Sequence, residues 1–137
     1  LAAGRSVTAT SSVQTYVAGN TVDGNANSYW ESTNNSWPQS LTVDLGSNQS
    51  VKRLVLKLPP NSAWGARTQT IAVLGSTNGS SYSQLAAAAG RSFDAASGNT
   101  ATITLPSAVS TRYVRLTFTG NTGWPAGQLS EYEVYSS

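Results

Sequence analysis

The sequence predicts an all-β sandwich, and three observations carry that expectation. Apolar residues recur with period two in short runs. Each run is bounded by Gly, Pro or Asn. No window sustains the three-to-four-residue spacing of an amphipathic helix. The 137 residues suit one domain spanning 1–137, with no internal repeat and no linker.

Taken in order, the runs justify themselves. Leu41-Thr-Val-Asp-Leu45 alternates cleanly and should end at Gly46. Leu54, Leu56 and Leu58 share one face of the next run, with Arg53, Val55 and Lys57 on the other, and Pro59-Pro60 closes it. Thr70-Ile-Ala-Val-Leu74 reads as a third strand, followed by an Asn78-Gly79 turn. Leu85 to Ala89 is compatible with a helical turn and is assigned to no element. Ala101-Thr-Ile-Thr-Leu105 alternates until Pro106 stops it. Val114, Leu116 and Phe118 should point inward, as should Tyr132 and Val134 from the last strand.

Composition removes several functions. There is no Cys, so disulfides and thiolate metal sites are excluded, and no His, the usual general base and zinc ligand. The formal charge is only +2, and the cationic residues are scattered rather than gathered on one face, which argues against nucleic acid as a partner. Alternating apolar runs argue against disorder. No apolar stretch reaches the roughly 20 residues that span a bilayer. No leader peptide is recognisable, so the chain reads as a mature or excised piece.

Two motifs at opposite ends look like halves of one site. Asn20-Thr-Val-Asp-Gly-Asn-Ala-Asn-Ser-Tyr-Trp30 packs oxygen donors into a Gly/Asn-rich loop; Ser130 and Glu131 head the last strand. A hard cation such as calcium takes six to eight oxygens on backbone that can curl round it. If the terminal strands lie side by side, the two segments can supply that shell. Taken singly, Asp23 could be a turn residue and Glu131 a solvated carboxylate.

The tryptophans divide by context. Trp30, at a strand start, belongs to the core. Trp37, Trp64 and Trp124 lie in loops rich in Gly, Pro and Asn, where no alternation demands them. Each is either a plug beneath its loop or a platform on which the apolar face of a sugar stacks. Sugar hydroxyls would need polar partners, for which Glu31, Arg67, Asn34, Asn61, Asn121 and Gln39 are candidates. Arg67 could instead pair with Glu31 beneath the loop. Tyr16 is a further aromatic candidate.

The order of Asp23-Gly24-Asn25, Trp30, Leu41-Thr-Val-Asp-Leu-Gly46, Gly75-Ser-Thr-Asn-Gly79, Arg112-Tyr-Val-Arg-Leu116 and Ser130-Glu-Tyr-Glu-Val-Tyr135 resembles the coagulation-factor C-type discoidin fold over nearly the whole chain. Within it, the chain looks most like bacterial family 32 carbohydrate-binding modules. The resemblance implies a jelly-roll β-sandwich of two antiparallel sheets, termini close together, one structural calcium, and a ligand site in the loops at one rim. Carried over residue by residue, the calcium shell would use carbonyls of Asn20, Asn25 and Ser130, carboxylates of Asp23 and Glu131, and carbonyl and hydroxyl of Ser28, where family members often carry Thr.

The function so implied is that of a non-catalytic, monomeric module. It would hold the catalytic domain of a secreted bacterial glycoside hydrolase, in cis, on a polysaccharide. Galactose-binding members often use a histidine that this chain lacks. Three loop tryptophans without histidine favour a glucan, with α-1,3-glucan placed first and β-glucan and chitosan next. The alternative is a discoidin-like adhesion or lipid-surface module, against which the polar rim and sparse lysine speak. Hydrolysis is not expected: a glycosidase uses two carboxylates across the scissile bond, and Glu31 alone is not a pair.

Overall fold

A computed structural model describes residues 2–25, 27–60 and 64–137. The strands are β1 (Ser6–Ala9), β2 (Trp30–Glu31), β3 (Gln39–Lys57), β4 (Arg67–Ser76), β5 (Ser83–Phe93), β6 (Thr100–Asn121), β7 (Gln128–Leu129) and β8 (Glu131–Tyr135). Two short 3-10 turns, Ala18–Thr21 and Ala95–Ser97, interrupt them. Every strand pair is antiparallel. The larger sheet runs β1-β3-β6-β4-β5 with β8 also on β3, and β2 pairs with β7 in a two-stranded ribbon.

Four expected runs fuse into two long strands. Leu41–Leu45 and Arg53–Lys57 both belong to β3, while Ala101–Leu105 and Tyr113–Phe118 both belong to β6. Gly46 does not end its strand; it turns it, at φ +87°, where an L side chain is strained. The ladder jumps there from Asp44↔Tyr113 to Gln49↔Thr111, and again from Val51↔Val109 to Arg53↔Thr104. Pro106 falls inside the second jump, where its missing N–H costs no ladder bond, so β6 passes through it.

The bends place the halves of β3 and β6 in two layers. One holds β1, the first half of β3, the second half of β6, β4 and β5; the other holds β8 with the remaining halves. Tyr132 of β8 donates its hydroxyl to Val114 O at 2.7 Å, so the layers meet across the core. The result is a jelly-roll β-sandwich. The alternation predicted the inward faces: Leu41, Val43, Leu45, Leu54, Leu56, Leu58, Val114, Leu116, Phe118, Tyr132 and Val134 are all buried. Trp30 is fully buried, its ring 5.3 Å from Phe118 and its indole N–H on Ser11 O at 2.9 Å. Leu85 to Ala89 is part of strand β5, not a helical turn. Its run of alanines carries no periodic signal, and pairing with β4 decides the matter.

The terminal strands do not lie side by side: β1 and β8 each pair with a different half of β3. The ends meet all the same, because Ala2 and Ala3 share one cavity with Glu131 and Tyr135.

Candidate functional site

The β2–β7 ribbon builds one site through its pleat. Trp30 pairs with Leu129 and Glu31 with Gln128. Period two sends Trp30 and Leu129 into the core, leaving Glu31 and Gln128 as a cross-strand pair on the other face. Gln128 Nε2 donates to Glu31 Oε1 at 2.7 Å, and Gln128 Oε1 accepts from Arg67 Nη1 at 2.7 Å and Asn121 Nδ2 at 3.2 Å. Buried Gln69 clamps the Gln128 backbone, donating to its carbonyl at 2.9 Å and accepting from its N–H at 3.0 Å. Among the described residues Glu31 Oε2 has no protein partner.

Aromatic rings wall this polar line. Tyr29, Glu31, Trp64, Arg67, Trp124 and Gln128 line a cleft of about 230 Å³. Tyr29 stacks on Tyr16 with centroids 4.4 Å apart and meets Trp64 edge-on at 4.7 Å. The Arg67 guanidinium lies 4.9 Å from the Trp64 ring centroid, while Arg67 Nε donates to Gly65 O at 3.0 Å. A Cβ on Gly123 would stand 2.9 Å from Arg67, so glycine lets the Trp124 loop close over it. Trp124 is 46% exposed, a large ring left in water at the cleft mouth. Burial, then the neighbouring Tyr16 hydroxyl and the Glu31 charge, push the Tyr29 hydroxyl well above its ordinary pKa, so it remains protonated. Burial lowers the Arg67 pKa and the Glu31 charge opposes the shift; a guanidinium stays charged regardless.

A second site gathers around the loop before Trp30. Glu131 is 8% exposed, and its Oε1 is buried without a hydrogen-bond partner. Burial, the nearby Asp23 charge and Glu133 raise its pKa, with Lys57 opposing. Asp23 Oδ1 accepts from Asn25 N at 2.9 Å, and Asp23 Oδ2 from Ser28 Oγ at 2.5 Å. Ser130 donates N–H and hydroxyl to Lys57 O at 2.7 and 3.0 Å, which leaves its carbonyl as the atom to offer. Two mutually repelling carboxylates, one with an orphaned buried oxygen, thus belong to loops rich in further oxygen donors. That donor set fits a calcium ion. Asn20 connects the two sites, donating its side-chain amide to Tyr29 O at 3.0 Å and Thr15 O at 3.1 Å.

The F5/8 type C domain profile matches residues 6–132. The chain belongs to the F5/8 type C domain family. Among curated proteins, none matches it by sequence. This F5/8 type C domain is similar in structure to carbohydrate-binding modules. One is chitosan-binding module 1 from a chitosanase/glucanase of Paenibacillus sp. IK-5, at 28% identity over 98% of this chain and 96% of that one, with TM-score 0.73. Chitosan-binding module 2 of the same source, in complex with chitotriose, gives 25% identity, 98% coverage of each chain and TM-score 0.76. The family 32 module of C. perfringens NanJ in complex with galactose gives 21% identity, 94% and 91% coverage and TM-score 0.76, a likeness of fold.

The F5/8 type C domain brings Trp64, Trp124, Glu31 and Arg67 into one cleft. Trp37 does not join them: it is half-buried and packs against the core, as a plug. Asn34 is exposed and lines no part of the cleft; its neighbour Asn35 donates to Pro125 O at 2.7 Å, so that turn braces the Trp124 loop. Asn121 acts from behind, bonding Ala126 O at 3.0 Å and accepting from Gly123 N at 2.9 Å to shape the same loop. Gln39 is buried and occupied by Thr10, Ser11 and Ser36. Asn61 lies outside the described residues. Arg67 and Glu31 are joined through Gln128 rather than by a direct ion pair. Sequence reasoning missed Tyr29 and Gln128. Their signal was adjacency: Tyr29 precedes Trp30, and Gln128 alternates with buried Leu129.

Glu31 is the one carboxylate of the cleft among the described residues. Asp44 is bonded to Arg112, Asp94 caps the turn at Ala96, and Glu133 pairs with Lys57.

Proposed function

We propose that this domain is a non-catalytic carbohydrate-binding module that holds a secreted bacterial glycoside hydrolase on its polysaccharide. The observation that carries the reading is Trp124, a ring 46% exposed above a pre-built line of Glu31, Gln128 and Arg67. A sugar ring lays its C–H face on the indole and directs hydroxyls at the carboxylate, amide and guanidinium. Those groups are already oriented by one another, so binding orders little.

A glucose-configured chain is the substrate class: α-1,3-glucan first, then β-glucan and its amino-sugar counterpart chitosan. The absence of histidine supports a glucan over terminal galactose. The similarity to chitosan-binding modules and the free Glu31 Oε2, which suits an ammonium group, keep chitosan in contention. A single open cleft binds weakly and acts through effective concentration on a repeating surface.

Calcium is the proposed structural ion, held by Asp23 and Glu131 carboxylates, carbonyls of Asn20, Asn25 and Ser130, and Ser28. It would neutralise the two carboxylates and staple the opposite chain ends.

The test is retention on insoluble α-1,3-glucan, β-glucan, chitosan and galactan, alongside sedimentation with anionic lipid vesicles. Retention on a glucan or chitosan, lost with Trp124→Ala, is expected. Vesicle binding without polysaccharide retention, or reducing ends released by the pure domain and lost with Glu31→Gln, would overturn the reading.

A further inference from the structure

We propose that the outer face of the five-stranded layer carries a second saccharide site, centred on Arg115, for a sugar bearing a carboxylate. Thr42 pairs with Thr8 on one side and with Arg115 on the other, so the three stand in one row across β1, β3 and β6. With Ala9, Thr10 and Ser40 they wall a groove of about 240 Å³, as large as the cleft and sharing no residue with it.

Arg115 is clamped in that groove. Its Nε donates to Thr42 Oγ1 at 3.3 Å, and its guanidinium carbon lies 3.8 Å from the Tyr82 ring centroid. Among the described residues, its two terminal amino groups have no acceptor. The acid nearest in register on this face, Asp44, is already taken by Arg112 through two bonds of 2.8 and 3.0 Å. A planar cation with free N–H edges matches a carboxylate in two-point contact, and stacking on Tyr82 has already removed much of its freedom.

The walls select the rest of the ligand. The Thr8 hydroxyl has no partner among the described residues, and the Thr42 hydroxyl, which accepts from Arg115, still has its own proton to donate. Such groups can donate to and accept from the hydroxyls of a sugar that carries the carboxylate. The occupant is therefore a uronic-acid residue of an acidic polysaccharide.

The experiment is a nitrogen-15 NMR titration of the whole domain, following Arg115 Nε–H and the Thr8 and Thr42 amides. The probes are trigalacturonate, a neutral glucose trisaccharide and inorganic phosphate. Trigalacturonate should shift all three signals with a dissociation constant of about 1 mM. Arg115→Gln and Thr42→Val should each weaken it, the former by about tenfold, with melting temperature measured for both. Trp124→Ala should leave it unchanged, even if that variant has lost every neutral ligand. Thr42→Val decides if Arg115→Gln folds poorly. The proposal is overturned if trigalacturonate shifts none of these signals, if phosphate shifts them equally, or if Trp124→Ala abolishes the response.

Discussion

Gln128 stands directly opposite Glu31 on the β2–β7 ladder and donates to its Oε1 at 2.7 Å. The same side chain accepts from Arg67 at 2.7 Å, so one neutral amide holds an anion and a cation apart and in register. A direct Arg–Glu pair would spend both charges on each other. With Gln128 between them, both remain able to meet a ligand.

Replacing Gln128 by leucine should therefore damage more than one bond. Glu31 and Arg67 would each lose a charged-group hydrogen bond at a poorly hydrated site, a destabilisation of about 1–3 kcal/mol. Chemical denaturation measures it. Polysaccharide retention should fall even under conditions where the variant is fully folded. A variant as stable and as well retained as the parent would show that the bridge is incidental.

The three loop tryptophans should separate into different behaviours. Trp124→Ala removes an exposed ring and should keep the melting temperature while weakening binding by about 1–2 kcal/mol, roughly tenfold. Trp37→Ala, on the core, should lower stability and leave the affinity of the folded fraction intact. Trp64→Ala should do both, since the ring packs against the core and Tyr29 while facing the cleft. Melting temperature and affinity chromatography on the same variants distinguish the three outcomes.

Glu131 sets a pH test for the proposed cation site. Its folded-state pKa is raised, first by burial and then by Asp23. Between the unfolded and folded values the native state binds more protons, so stability falls as pH rises through that window. In chelator, the melting temperature should drop across this range, and Glu131→Gln should remove the drop. Calcium should lift the parent but not the variant, because an ion bound only by the folded state stabilises it by mass action. Equal calcium responses in both would sink the assigned ligands.

Asp44 has the opposite sign. Hydrogen bonds from Arg112 and then from the Gly46 amide hold its carboxyl below the ordinary value. That stability is present above the unfolded pKa and is lost as pH falls through the folded one. Asp44→Asn should melt earlier than the parent at neutral pH, and the two should converge in acid. A constant gap across the pH range would place the effect elsewhere.

The sequence by itself determined the sandwich class and almost every inward-facing residue, because alternation is a local property of the chain. Leu54, Leu56 and Leu58 share a face whichever strand lies beside them, and Trp30 is apolar enough to be buried wherever the ribbon goes. The motifs around Asp23 and Glu131 are visible in the sequence as two short clusters of oxygen donors, and their use as a calcium shell is a proposal. What only the tertiary structure decided depends on pairing between distant segments. Gly46 and Pro106 read locally as stops, yet β3 and β6 run through them, because each strand supports the other across matching bulges. Trp37 and Trp124 sit in loops of the same composition. Which one plugs the core and which stands in water is settled by how those loops pack. Gln128 carries no motif at all. It matters because antiparallel pairing sets it across from Glu31, 97 residues away in sequence. Arg115 likewise looks like any strand arginine until Thr42 and Tyr82 close on it from other parts of the chain.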